Sequence, residues 1–310
     1  MRRAVALFAA LVLLLTGCSS TRAGTGGTVA APSVSSVTTP APSTSASASA
    51  MPSRTKSTSV RRTTSAPPPT RTAAPGTPVA TVPSLPAVSF PPGTGPVVAL
   101  NPGHNGGNAS HPAEINRQVP AGFGEYKACD TTGTETNAGY SEHAFNWDVT
   151  LRVRTILQAH GVRVILTRPN DSGVGPCVDQ RAAIGNQAGV VAVVSIHSDG
   201  AAPDGHGFHV CYASRPPAGA QVDAKSRALS TAVHDALVRS SGLVPSTYLG
   251  SNGYFPRSDL AGLNLATVPA TFLELGNMRN AGDAALLTSA AGRQRIATAV
   301  AAGVLSYVGR

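Results

Sequence analysis

Not one Asp or Glu occurs in the first 95 residues of this 310-residue chain. Between Ser19 and Pro96 the aromatic and long apolar side chains are nearly absent too, with Met51, Leu85 and Phe90 the exceptions. What remains is mostly Ser, Thr, Pro, Ala, Gly and Val, with scattered basic residues. Such a stretch cannot bury enough apolar surface to offset chain entropy. Residues 19–95 are therefore expected to form a disordered linker. Their Ser/Thr/Pro content makes that linker a candidate for O-glycosylation. A flexible coil of this length spans about 50 Å end to end.

The chain also lacks the charge imbalance that its net +9 suggests. Residues 1–95 carry eight of the 24 Lys and Arg, whereas residues 96–310 carry sixteen basic and fifteen acidic side chains, a net of +1. The part able to fold is nearly neutral, which argues against nucleic acid as a partner. Nor is there a long apolar run at the start. Ala4 to Leu15, after Arg2 and Arg3, is too short to span a bilayer comfortably and reads as an export signal. It ends in Leu15-Thr16-Gly17-Cys18, which resembles a lipobox. The resemblance implies that residues 1–18 are a lipoprotein-type signal peptide and that Cys18 is lipidated. That would anchor the exported chain to the outer face of the plasma membrane.

Cysteine is scarce, with four in all. None has the spacing of a structural zinc site. With Cys18 set aside, Cys129, Cys177 and Cys211 remain. Cys129 and Cys177 lie in polar, Gly-containing segments that read as loops, and Cys211 in a strand-like stretch. An exported chain can keep disulfides. The expected bridge is Cys129–Cys177.

From Pro96 onward, short β-branched runs alternate with helical periodicity. Strands are expected at Val97–Leu100, Val162–Thr167, Val190–Ile196 and Ala270–Leu273. Helices are expected through Phe145, Val149, Val153, Ile156 and Leu157, with Gly161 as the stop, and over Val178–Ala188, Val222–Ser240 and Ala284–Val308. Val190–Ile196 is nearly all apolar, as a strand buried on both faces should be. The alternation predicts one α/β domain over residues 96–310, a mainly parallel twisted sheet flanked by helices.

Four polar segments stand out against this pattern: Asn101-Pro102-Gly103-His104, Ser141-Glu142-His143, Ser195-Ile196-His197-Ser198-Asp199 and Leu273-Glu274-Leu275-Gly276-Asn277. His104, His197 and Glu274 come at the ends of strands, where sites form in open α/β sheets. Glu142 begins a helix, with Ser141 a plausible N-cap. Two His and one Glu can hold a catalytic zinc and leave a position for water. A second carboxylate, Glu274, can serve as base. It sits in an apolar stretch, where an unpartnered carboxylate is costly. His143, His206 and His209 are expected to be structural or surface residues.

These four segments, in this order and strand context, resemble the zinc-dependent N-acetylmuramoyl-L-alanine amidases of the type-three family, nearest the exported mycobacterial and actinobacterial members. The likeness covers residues 96–310. It implies zinc ligands at His104, Glu142 and His197 and a catalytic Glu274, with Arg181, Asn186 and Pro269 also matching the pattern. The implied reaction is hydrolysis of the amide between N-acetylmuramic acid and L-alanine in peptidoglycan. The implied partners are a glycopeptide substrate and, through the anchor, the membrane. The family often has Asp where this chain has Asn101, Gly at Asn105 and Asn at Asp199. Asn101 is expected to orient a ligand His through its carbonyl oxygen. The long segment from Asn105 to Ser141 is expected to border the site. Two alternatives differ in product or in activity: a zinc peptidase cutting elsewhere in the stem peptide, and a wall-binding lipoprotein without catalysis. The second requires a missing ligand or base, and none of the four is missing.

Overall fold

The computed structural model describes residues 91–310, so Cys18, the signal peptide and the linker lie outside the described residues. In chain order the elements are β1 (Val97–Pro102), α1 (Pro112–Ile115), β2 (Gln118–Gly122), β3 (Glu125–Ala128), α2 (Glu142–Ala159), β4 (Arg163–Leu166), α3 (Val178–Gly185) and β5 (Val190–Asp199). There follow β6 (His209–Ala213), α4 (Ala220–Ser240), β7 (Tyr254–Arg257), α5 (Ala261–Asn264), β8 (Ala270–Asn277), α6 (Ala281–Thr288) and α7 (Ala290–Val308). Six strands form one sheet in the order β4-β1-β5-β8-β6-β7. Only the β8–β6 pairing is antiparallel. The expected α/β domain with a mainly parallel sheet is therefore what the chain forms.

Helices α2, α4 and α7 cover one face, and α3 with α5 the other. Alternation along the central strands feeds both cores: Val194 and Ile196 of β5 point to the first, Val193 to the second. Phe145, Val149, Val153 and Leu157 recur every four residues on α2 and are fully buried. Gly161 stops that helix at φ +75°. Its N–H donates to the Gln158 carbonyl, and the Val162 N–H reaches back to Leu157. This is the paired closure that a left-handed glycine makes possible. No helix among the described residues is long and apolar enough to cross a membrane.

Three expectations need correction. The last helix is two: Ser289 is extended, and its side chain caps α7 by accepting from the Gly292 N–H, which breaks the run from Ala284 to Val308. The strands carrying His197 and Glu274 do not end before them; β5 runs on to Asp199 and β8 to Asn277. Ser141 occupies the N-cap position of α2, but its side chain makes no capping bond.

The Cys129–Cys177 bridge is present, with the Cα atoms 4.4 Å apart, and Cys211 is free and buried. In the chain-entropy view, closing a loop of 48 residues stabilises the fold by about 4 kcal/mol. Cys129→Ser with Cys177→Ser should lower the denaturation midpoint accordingly. An unchanged midpoint would show that the bridge leaves the unfolded chain unconstrained.

Candidate metal centre

The site lies at the carboxyl ends of β1, β5 and β8, where the sheet opens into a cavity of about 340 Å³. His104 follows β1 in the left-handed region at φ +57°. A non-glycine residue held there costs ~1–3 kcal/mol and must be fixed by its surroundings. Two buried arginines do this. Arg181 donates to the carbonyls of Pro102 (2.7 Å) and His104 (2.7 Å), and Arg168 to those of Pro102 (3.0 Å) and His143 (2.9 Å). Gly103 is required for another reason. A Cβ there would stand 1.9 Å from the His197 ring, so any side chain would displace that imidazole.

The three expected ligands converge. Their donor atoms lie within 4.8 Å of one another, at His104, Glu142 and His197. Glu142 is the centre: its Oε2 is 3.3 Å from His104 Nε2 and its Oε1 is 2.9 Å from His197 Nδ1. The Thr134 N–H donates to Oε2 at 3.0 Å and the Asn146 amide to Oε1 at 3.2 Å. Burial opposes the charge on Glu142, but the two imidazoles outweigh it and hold the carboxyl well below the usual range. Burial likewise lowers His104, yet the carboxylates of Glu142 and Asp130 push it up to about 10. His197 stacks on Phe272 with ring centres 4.2 Å apart, which fixes the plane of its ring.

Glu274 sits beside this cluster, in strand register with His197. Its Oε2 is buried and has no hydrogen-bond partner among the described residues. Burial raises its pKa well above the ordinary carboxylate value, and the charges of Glu142 and Asp199 raise it further. A buried, orphaned carboxyl oxygen on a residue that lines the same cavity as a second carboxylate and two imidazoles favours positive charge there. The donor set of two imidazoles and one carboxylate suits zinc in particular.

Several residues of the site were not anticipated. Asp130 receives the His104 Nδ1 contact at 3.0 Å and pairs with Arg181 at 3.2 Å. Asn101 does not perform the orienting role expected of it. Its oxygen accepts from Thr167 (2.6 Å) and Arg181 (3.2 Å), and its amide donates to Ser195 (3.0 Å). The carboxylate that orients His104 thus comes from the long segment, one residue after Cys129. The bridge partner Cys177 stands at the start of α3, one turn before Arg181. Residues from Lys127 to Thr134 do line the cavity, as the length of that segment suggested. His143 is tied to Asp171 at 2.9 Å, and His206 is partly exposed and bonded within its loop. Asn186 donates to the Leu265 carbonyl and accepts from the Thr267 N–H, which anchors the approach to β8.

A two-His, one-Glu cluster at the strand ends of an α/β sheet, with a further carboxyl beside it, has the make-up of a hydrolase site able to hold a metal ion. The comparisons make the assignment narrower. Residues 98–306 match the type-three amidase family, described as N-acetylmuramoyl-L-alanine amidase, and the chain belongs to that family. It is 48% identical over 214 residues to the N-acetylmuramoyl-L-alanine amidase Rv3717 of Mycobacterium tuberculosis, covering 69% of this chain and 87% of that protein. The crystal structure of the N-acetylmuramyl-L-alanine amidase Ami1 from Mycobacterium smegmatis superposes with a TM-score of 0.66 at 48% identity, over 69% of this chain and 97% of Ami1. The Escherichia coli amidase AmiA is 27% identical over 68% of this chain and 75% of its own.

Proposed function

We propose that the chain is a zinc-dependent amidase that cleaves between N-acetylmuramic acid and L-alanine in peptidoglycan. The observation that carries this reading is the His104–Glu142–His197 cluster with an unpartnered Glu274 next to it, inside a domain of the amidase family. In it His104, Glu142 and His197 would hold the zinc. Bound there, zinc would acidify a water and polarise the scissile carbonyl. Glu274 takes the proton from the attacking water and passes it to the leaving amine of L-alanine. Asp130 fixes the His104 ring by accepting from Nδ1, which leaves Nε2 toward Glu142. The cavity beside the cluster is where the stem peptide would bind in this reading.

The same reading places residues 1–18 as a lipoprotein signal with lipidated Cys18, residues 19–95 as a tether, and residues 96–310 as the catalytic domain. A head held on such a tether would work in the wall just outside the plasma membrane. The test is the product spectrum from purified sacculi. Stem peptides with a free L-alanine amino terminus, lost on adding a chelator and regained with zinc, are expected. Fragments cut within the stem would instead indicate a zinc peptidase, and no release at all would indicate a binding protein.

A further inference from the structure

His209 is a buried histidine that the reaction described above does not use. It is 1% exposed, and neither ring nitrogen has a hydrogen-bond partner among the described residues. Desolvation lowers its pKa to about 4, so the ring is neutral, with one N–H and one lone pair to satisfy. A phenyl ring would fill the same space without stranding polar atoms, and stranded polar atoms destabilise a fold.

The register shows what the imidazole faces. His209 on β6 lies directly opposite Glu274 on β8, and Glu274 lies opposite His197 on β5. Directly opposed residues of an antiparallel pair share a face, with Cβ atoms ~4.5–5.5 Å apart. Candidate ligand, candidate base and His209 therefore form one row across the sheet. The other neighbours of the ring are aromatic: Tyr248 with its centre 6.0 Å away, and Phe255 at 5.6 Å, both edge-on. The charged groups nearby are already committed. Asp199 accepts from the Tyr248 hydroxyl at 3.1 Å and the Gly200 N–H at 2.7 Å. Arg257 is forked onto Asp259 at 2.7 and 2.6 Å. What remains in this row is Glu274 Oε2, buried and equally without a partner.

We propose that His209 is a positioning residue for the base: its ring N–H is donated toward the Glu274 carboxyl across one water and holds that carboxyl on the metal side of the cavity. The proposal rests on the reading of Glu274 as base. It accounts for the orphaned Glu274 Oε2 and one of the two orphaned His209 nitrogens with one link. It also explains why an unsatisfied imidazole stands where an apolar ring would pack better.

The experiment measures kcat, KM, zinc content and melting temperature on the full chain for His209→Phe, His209→Gln, Glu274→Gln and the Glu274→Gln/His209→Phe double variant. His209→Phe should lower kcat by ~10–10²-fold, the usual cost of a displaced reacting group. KM and zinc content should hold, and melting should stay level or rise. His209→Gln, which keeps an N–H, should recover most of the rate. The double variant should be no slower than Glu274→Gln alone. His209→Leu gives the same comparison should the Phe ring disturb packing. Parent kcat in His209→Phe would overturn the proposal while leaving Glu274 as base. A double variant slowed by the full extra factor would also overturn it, because His209 would then act independently. A parent rate in Glu274→Gln would remove the base assignment itself, and the positioning role with it.

Discussion

Glu274→Gln is expected to keep its zinc and its fold and to lose amidase activity by at least ~10²-fold, the lower range for a positioned general base. The substitution preserves volume. It removes the proton acceptor and leaves His104, Glu142 and His197 untouched. The fold should not suffer, because the Glu274 carboxyl contributes no hydrogen bond through Oε2 and is costly to keep charged where it stands. The melting temperature should therefore hold or rise. Glu142→Ala should behave differently. Glu142 touches both histidines and accepts from Thr134, Asn146 and Ser198, so its loss should remove metal and activity together. Release of L-alanine-initiated peptide from muramyl dipeptide measures the rate, and elemental analysis measures the metal. A near-parent rate in Glu274→Gln would refute its role as base. Zinc loss like that of Glu142→Ala would show that the two glutamates had been assigned the wrong way round.

The parts of this site that were legible in the sequence share one property: each interrupts a pattern. His197 and Glu274 break apolar runs, and His104 follows Pro102-Gly103 at the end of one. A polar residue there has no structural reason to exist, so it points to chemistry. The same rule misplaced the strand ends. An apolar run stops at the first polar residue, whereas β5 and β8 go on through the ligand and the base to Asp199 and Asn277. His197 and Glu274 therefore project from the sheet itself rather than from loops.

Residues that act through tertiary contact left no such mark. Asp130 lies 26 positions from the histidine it contacts, in a segment without periodicity. Arg168 looks like an ordinary surface charge in sequence, and Arg181 is marked only by the family resemblance, yet both are buried against the Pro102–His104 backbone. The spacing of Cys129 to Asp130 and of Cys177 to Arg181 carried a usable hint, since the bridge draws both partners of one ion pair together. β7 escaped notice because Pro256 argues against a strand; it is an edge strand, where proline is tolerated. The hairpin of β2 and β3 is short and interrupted by Pro120, and it stands as a separate two-stranded sheet.

A single zinc held by His104, Glu142 and His197 is the centre of the proposed site. Removing either histidine leaves two donors, which should weaken binding by more than the ~10–100-fold that the loss of an outer hydrogen-bond partner costs. His104→Ala should be the more severe of the two for local structure. It also strands the Asp130 carboxylate, which among the described residues keeps only Arg181 as a charged partner. The most direct measurement is the zinc-to-protein ratio by elemental analysis on folded parent, His104→Ala and His197→Ala protein after the same dialysis. The expected result is about one zinc per chain in the parent, as a three-ligand catalytic site requires, and little or none in either variant. Full occupancy in both variants would contradict the assignment.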